Sequence, residues 1–165
     1  MMPLGHVGIP LFILVLKDDM DFDIRLLVIG AMLPDIIDKP LGHLILPENN
    51  GRVFAHTLLF ATVLLISALV WRKLTPLSLG VSGHLLLDGM FLEPGSALWP
   101  FFGGFPSTDY DVINWIYAYL DPLVIAEEAA GLFVIVFIVW RFRLFEWRNF
   151  REVLRSGRTA PRANQ

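Results

Sequence analysis

Three of the chain's four histidines and three of its sixteen acids lie inside or at the edge of apolar stretches. The pieces are Pro34-Asp35-Ile36-Ile37-Asp38, Ala55-His56-Thr57 and His84-Leu85-Leu86-Leu87-Asp88, with His6-Val7-Gly8 near the N-terminus. An ionisable group in hydrocarbon costs from about 2.5 kcal/mol upward, so such groups face one another or a bound ion. Imidazoles gathered with carboxylates suit Zn²⁺, and Mn²⁺ or Fe²⁺ less specifically. With no cysteine in the chain, any transition metal must be held by these two ligand types alone.

Spacing sharpens the set. His84 and Asp88 are i, i+4 and project from one helical face, and Asp35 and Asp38 are i, i+3 if helical. His6, Asp35, Asp38, His56, His84 and Asp88 are therefore the candidate metal ligands, and their excess of acid favours more than one ion. Taken singly, each has a plainer explanation: a lone intramembrane His is more often a hydrogen-bonded interior group, and an Asp near a helix end is often a cap.

The elements that must position these residues are apolar helices. Composition is 55% apolar with 13 Phe and 5 Trp, more than a soluble 165-residue domain needs. Apolar runs cover Pro3 to Leu16, Ile24 to Leu46 with interruptions, Val53 to Trp71, Pro76 to Leu92 and Leu123 to Trp140. The expected fold is all-α: a polytopic bundle of four to five membrane helices, with a re-entrant or interfacial loop and a basic C-terminal amphipathic helix. Spanning takes about 20 apolar residues, so the third and fifth runs are the secure spans. The first is short, a half-span, a tilted helix or an unprocessed signal-like segment; no basic residue precedes it and no small-x-small pattern follows, so a cleaved signal is not expected. Pro34 and Pro40-Leu41-Gly42 predict a helix ending near Leu33, followed by an irregular stretch.

Basic residues at helix ends stay preferentially cytoplasmic. Trp71-Arg72-Lys73 and Arg141-Phe142-Arg143 then place the ends of the third and fifth helices inside, and Lys17 and Arg25 place the first connection there too. An alternating path puts the N-terminus outside. On that path His6 starts the first segment at the outer side, and Asp35 and Asp38 lie about 15 to 20 Å up the second from Arg25. His56 begins the outer half of the third, and His84 and Asp88 lie about 12 to 18 Å up the fourth from Pro76. All six arrive at one depth, although the orientation used only Lys and Arg.

Other residues are weighed against that cluster. Glu127 and Glu128 sit at the outer start of the fifth helix beside Gly131, and Glu128 is a candidate ligand or general base. Arg52, four residues before His56, is a candidate phosphate clamp, with an interfacial anchor as the simpler role. Glu93 and Asp121 are expected to cap helices. Asp18-Asp19-Met20-Asp21-Phe22-Asp23 lacks the Gly and terminal Glu of an EF-hand and is expected to be a solvated turn. Serines without an elbow motif make a Ser-His-Asp triad improbable. The segment from Glu93 to Asp121, with Trp99-Pro100-Phe101-Phe102, is expected to be a surface loop with an aromatic anchor, or a lid.

Charge divides the chain. Residues 141–165 carry seven Arg and two Glu, while residues 1–140 carry six basic and fourteen acidic groups. Three regions follow: a membrane-embedded metal-site domain over 1–140, a basic amphipathic helix over 141–155 continuing the fifth helix on the anionic cytoplasmic leaflet, and a disordered tail over 156–165. Nucleic-acid binding is not expected, and no oligomer interface is legible.

Gly30-Ala31-Met32-Leu33-Pro34-Asp35-Ile36-Ile37-Asp38, Arg52 with His56-Thr57, Gly83-His84-Leu85-Leu86-Leu87-Asp88 and Trp99-Pro100-Phe101, after His6-Val7-Gly8, occur in an order that resembles a known family. It is that of the membrane-bound metal-dependent hydrolases, DUF457-like, which includes a LexA-regulated inner-membrane protein of enterobacteria. The resemblance covers roughly residues 5 to 105. It implies a helical membrane protein with a hydrolase-type metal centre at His6, Asp35, Asp38, His56, His84 and Asp88, remotely similar to zinc phospholipase C and P1-type nucleases. One departure stands out: many members read His-Arg-Gly-x-Thr-His-Ser where this chain has Gly51-Arg52-Val53-Phe54-Ala55-His56-Thr57, so the first His is missing and His43 is the one candidate to replace it.

Such a centre activates water and polarises a phosphoryl oxygen. The expected function is hydrolysis of a phosphoester in a phospholipid or polyprenyl phosphate, with Asp35, Glu128 and Arg52 as candidate catalytic groups. The partners are then membrane lipids and a lipid-phosphate substrate. A divalent-cation transporter and a non-catalytic protein with a structural metal are the alternatives; the uniformly apolar Leu132 to Trp140 argues against a transport path.

Overall fold

The computed structural model describes residues 3–16, 23–108, 113, 116–117 and 119–159. Among them every regular element is helical: α1 (Pro3–Leu11), α2 (Ile13–Leu16), α3 (Ile24–Pro40), α4 (Leu58–Val70), α5 (Thr75–Leu87), α6 (Pro94–Ala97), α7 (Pro122–Arg141) and α8 (Trp147–Ser156). The all-α expectation holds. One described helix, α7, is long and apolar enough to cross a bilayer, at 20 residues or about 30 Å.

α3 is the spine. Asp23 caps its N-terminus by accepting from Arg25 N–H at 2.9 Å. The helix then runs through Pro34 to Pro40 instead of ending near Leu33, and widens into a π turn at Leu41–Ile45 closed by Leu46 N–H on the Leu41 carbonyl. Proline in a helix interior removes one backbone bond, at about 3 kcal/mol or more. Here the buried Pro34 lies in the stretch that packs on α5, and tertiary contact overrides local propensity.

Two backbone-to-backbone approaches build the bundle. At Gly30 and Gly80, α3 and α5 come so close that a Cβ on either would overlap the other helix's main chain, Leu77 carbonyl in one case and Leu27 carbonyl in the other. Gly8 and Gly131 do the same for α1 and α7. Small residues at such crossings let helices gain van der Waals contact without side chains between them. Leu11 and Leu14 then meet Leu27, Val134 and Ile138 in one apolar cluster, and Val81, Leu85, Met90 and Ala97 form a second under α4. Since Gly5 lies by Glu127 and Glu128, Gly8 by Gly131 and Leu11 near Val134, α1 runs parallel to α7.

Two further expectations change. The run from Val53 to Trp71 yields a helix of only 13 residues, about 20 Å, because residues 53–57 are non-helical and Thr57 Oγ1 caps α4 by accepting from Phe60 N–H at 3.0 Å. α8 is no continuation of α7: the chain turns at 142–146, with Arg143 at φ 51°, before α8 begins. Asp121 caps α7 as expected, accepting from Leu123 N–H at 2.8 Å. The acidic run falls outside the described residues except for Asp23.

A Gly80→Val substitution places a branched side chain against the main chain of Leu27 and Ala31, where nothing flexible can yield. Overpacking of this kind costs about 1–3 kcal/mol or more. The expected result is a marked fall in the unfolding midpoint of the detergent-solubilised protein, with Gly95→Val, which meets only the Pro106 ring at 3.7 Å, staying near wild type.

Candidate metal centre

Four elements deliver five side chains to one place. α1 brings His6, α3 brings Asp35, the segment before α4 brings His56, and the end of α5 brings His84 and Asp88. His6, His56 and His84 are at most 1% exposed. Ligand atoms of His6, His84 and Asp88 all lie within 4.8 Å of one another, as do those of Asp35, His56 and His84, so the two triads share His84. The convergence expected from depth counting thus has a physical counterpart.

Each imidazole is aimed by what holds its far side. His84 Nδ1–H donates to the Ala31 carbonyl at 2.6 Å, and His56 Nδ1–H donates to Asp38 Oδ2 at 2.7 Å. A neutral imidazole that donates from Nδ1 carries a lone pair on Nε2. The two Nε2 atoms face each other at 3.2 Å, with Asp35 Oδ1 at 3.7 Å from one and 3.9 Å from the other, and Asp88 Oδ2 at 3.6 Å from His56 Nε2. His6 Nε2 sits 3.1 Å from Asp88 Oδ1, its ring against that of His84 with centroids 4.0 Å apart. Lone pairs and carboxylate oxygens converge on one point, and a cation is what such a point accommodates. The donor set fits a borderline ion such as Zn²⁺.

Asp38 is corrected from ligand to support. Fully buried, it accepts from Val53, Ala55 and His56 N–H, each at 2.9 Å, as well as from the His56 ring. Both oxygens are engaged, and the carboxylate stands behind His56 as the outer-shell partner that sets tautomer and ring angle. Glu128 is also corrected. Its carboxylate accepts from Leu4 and Gly5 N–H at 3.2 and 2.7 Å, placing it on the N-terminus of α1, where the unpaired amides and helix dipole favour an anion. It holds the helix that carries His6 and lies in neither ligand triad.

The rim is cationic. Lys39 Nζ contacts Asp35 Oδ2 at 2.6 Å, and Arg52 Nε reaches Asp88 Oδ2 at 3.2 Å while its other arm pairs with Glu93. Glu93, expected as a cap, makes no side-chain cap at α6. Lys39 is not among the candidate residues of the sequence, yet its i, i+4 offset from Asp35 is the signal that marks the pair. Beyond Arg52 the loops are tied together: Asn50 Nδ2 donates to the Pro106 carbonyl and Thr108 N–H to the Glu48 carbonyl, while Phe54, Trp99 and Phe105 pack with centroids 5.0 to 5.1 Å apart. Trp99 therefore faces inward, while Pro100, Phe101 and Phe102 of the anchor motif stand exposed. At Gly51 a Cβ would lie 2.7 Å from His43 Nε2, so the His43 ring fills the space that a side chain at that position would take. His43 Nδ1 lies 2.9 Å from Asn49 Oδ1.

The fold is thus helical, with one described helix long and apolar enough to cross a bilayer and a buried His/Asp cluster at one end of the bundle. The chain matches the YdjM inner membrane protein family over residues 1–152 and belongs to that family, which makes it an inner-membrane protein. No curated protein and no solved structure matches it. The match carries the membrane setting; the hydrolase and nuclease likenesses implied by the motifs have no counterpart in it.

Asp38 and Asp35 predict opposite behaviours without metal. Asp38→Ala leaves three buried N–H groups unsatisfied, at about 1–3 kcal/mol each, and lowers the unfolding midpoint even in chelator. Asp35→Ala removes a carboxylate from a group of acceptors and leaves the chelated protein as stable as wild type or more so. Thermal unfolding of both variants in EDTA checks the contrast; equal losses mean that Asp38 has no special structural role.

Proposed function

We propose that this protein is a multi-pass inner-membrane hydrolase that cleaves a phosphoester of a lipid or lipid-linked substrate with the help of a divalent transition metal such as Zn²⁺. The observation that carries the reading is the buried His/Asp cluster: two imidazole Nε2 atoms 3.2 Å apart, each free to offer a lone pair in the neutral ring because its Nδ1 proton is taken by a buried acceptor, with carboxylates closing the ring. His6, Asp35, His56, His84 and Asp88 would hold the metal. Bound there, the ion supplies Lewis acidity and a water acidified to near neutral pH.

The chain's own groups complete the case for a phosphoester. Asp38 keeps the His56 Nδ1 proton in place, so the ring presents the same face throughout. Arg52 and Lys39 stand at the opening, each already touching a site carboxylate, where a phosphoryl group would meet two cations. Arg52 is one-third exposed, and Glu93 steers its guanidinium, whose planar fork matches phosphate oxygens. The exposed Phe101 and Phe102, which follow the Trp99 packed on Phe54, suit an apolar chain remaining in the membrane.

α7 and α1 support an orientation for this reading. Arg141 and Arg143 assign the end of α7 to the cytoplasm by the positive-inside rule. The start of α7, the N-terminus and the metal cluster then lie toward the extracytoplasmic side, because α1 runs parallel to α7 and His6 sits beside its start. α3, α4 and α5 are shorter than a full span and cross as packed or tilted segments.

Metal analysis of the full chain, purified without chelators, tests the centre: at least one transition-metal ion per chain is expected, and Asp35→Ala, His56→Ala or Asp88→Ala should abolish it. A metal-free wild type sinks the reading. Phosphate or headgroup release from a panel of phospholipids and polyprenyl phosphates tests the reaction, with Arg52→Ala expected to lower turnover by about 10²–10³-fold while metal content holds.

A further inference from the structure

The arginine-rich C-terminal helix is joined to the bundle where two helix ends meet. Ile24 N–H, at the start of α3, donates to the Gly157 carbonyl at 2.7 Å. The Arg25 guanidinium donates to the Leu154 and Arg155 carbonyls at 2.8 and 3.2 Å, satisfying acceptors that the end of α8 leaves open. The same guanidinium pairs with Asp23 at 2.6 Å, which holds that carboxyl below the usual carboxylate range. Gly157 adopts φ +73°, and a Cβ there would run into the Asp23 carboxylate. Sequence alone assigns Gly157 to a disordered tail, yet it is buried in this joint; residues 160–165 lie outside the described residues.

Held by its end, α8 leaves its long faces open. Trp147, Phe150 and Leu154 follow i, i+3, i+7 and form one stripe, exposed at 65%, 39% and 52%. Arg148, Arg151 and Arg155 follow the same spacing on a neighbouring face, also exposed, with Arg151 over the Trp147 ring at 5.7 Å. Water is a poor solvent for the first face and anions are the natural partner of the second. α8 also follows, after a five-residue turn, the end of α7, the one described helix long enough to cross a bilayer, and where α7 spans, that stripe lies beside the headgroup layer.

We propose that α8 docks on an anionic lipid surface, with the Trp147–Phe150–Leu154 stripe among the acyl-chain ends and Arg148, Arg151 and Arg155 on the headgroup phosphates, and that the Asp23–Arg25–Gly157 joint thereby ties the base of α3 to that surface. The occupant is an anionic bilayer because the open apolar stripe is bordered by cations and lies next to a membrane span. α3 carries Asp35 and Asp38 at its other end, so the tie sets the depth of the metal cluster. This proposal is independent of any reaction at that cluster and stands or falls apart from it.

The chain has no native cysteine, so single nitroxide labels can be placed cleanly in the full-length protein. Leu154→Cys and Glu152→Cys, each labelled and reconstituted in nanodiscs of phosphatidylcholine with or without phosphatidylglycerol, report depth through collisions with oxygen and with a water-soluble nickel chelate. In phosphatidylglycerol discs oxygen should dominate at 154 and nickel at 152, and the difference should shrink in neutral discs or with Arg148→Gln, Arg151→Gln and Arg155→Gln combined. Arg25→Gln should loosen the joint and broaden the depth distribution at 154. Nickel access at 154 equal to that at 152 in anionic discs overturns the docking. Shielding of 154 from both reagents with spin–spin broadening also overturns it, because a second copy then covers the stripe, and a depth indifferent to both lipid charge and the three arginines overturns the anionic part.

Discussion

One buried carboxylate organises the candidate site. Asp38 gathers three backbone N–H groups from residues 53–56 and the ring N–H of His56, and a fully buried charge without such donors would not be tolerated. Collecting those amides bends the 53–57 segment out of helical form, which shortens α4 and leaves Thr57 as its cap. It also decides which nitrogen of His56 faces the cluster. Local backbone shape, helix length and ligand orientation thus share a single cause.

The spine that carries Asp38 is held by backbone contact. Gly30 and Gly80 bring α3 against α5 so closely that the Ala31 carbonyl reaches His84, and that bond aims the second imidazole. Gly8 and Gly131 set α1 against α7, where Glu128 caps the helix carrying His6. The glycines that permit close packing are therefore part of the site's geometry. A side chain at any of them would separate the helices and with them the ligands.

Charge is arranged in layers. Anionic and lone-pair groups face inward, Lys39 and Arg52 bridge them to the opening, and Glu93 balances Arg52 further out. At the opposite end of α3 the arrangement changes, with Asp23 and Arg25 meeting the end of a helix whose outer faces are arginine and aromatic. The acidic body and basic tail of the sequence become two ends of one helix axis. That axis links a candidate site at one end to a charged surface at the other.

Much of the candidate site was legible in the chain because its determinants are local or additive. Apolar composition announces a membrane protein, and the cost of ionisable groups in such surroundings marks His6, Asp35, His56, His84 and Asp88 for a common purpose. Counting residues from Lys and Arg at the helix ends points them toward one level, since helix rise is constant, and the structure does bring their side chains together. The helical class followed from the long apolar runs. Asp38 and Glu128 could not be sorted by the same means: a carboxylate that binds a metal and one that binds backbone amides have the same residue type and the same apolar setting. Only tertiary structure brings the 53–56 amides to Asp38 and the α1 terminus to Glu128, because those partners come from segments 15 to 124 residues away. The length of α4, the passage of α3 through Pro34 and the seating of Gly157 against Asp23 belong to the same group. In each, a long-range contact outweighs what the neighbouring residues prefer, and no local pattern records the contact that wins.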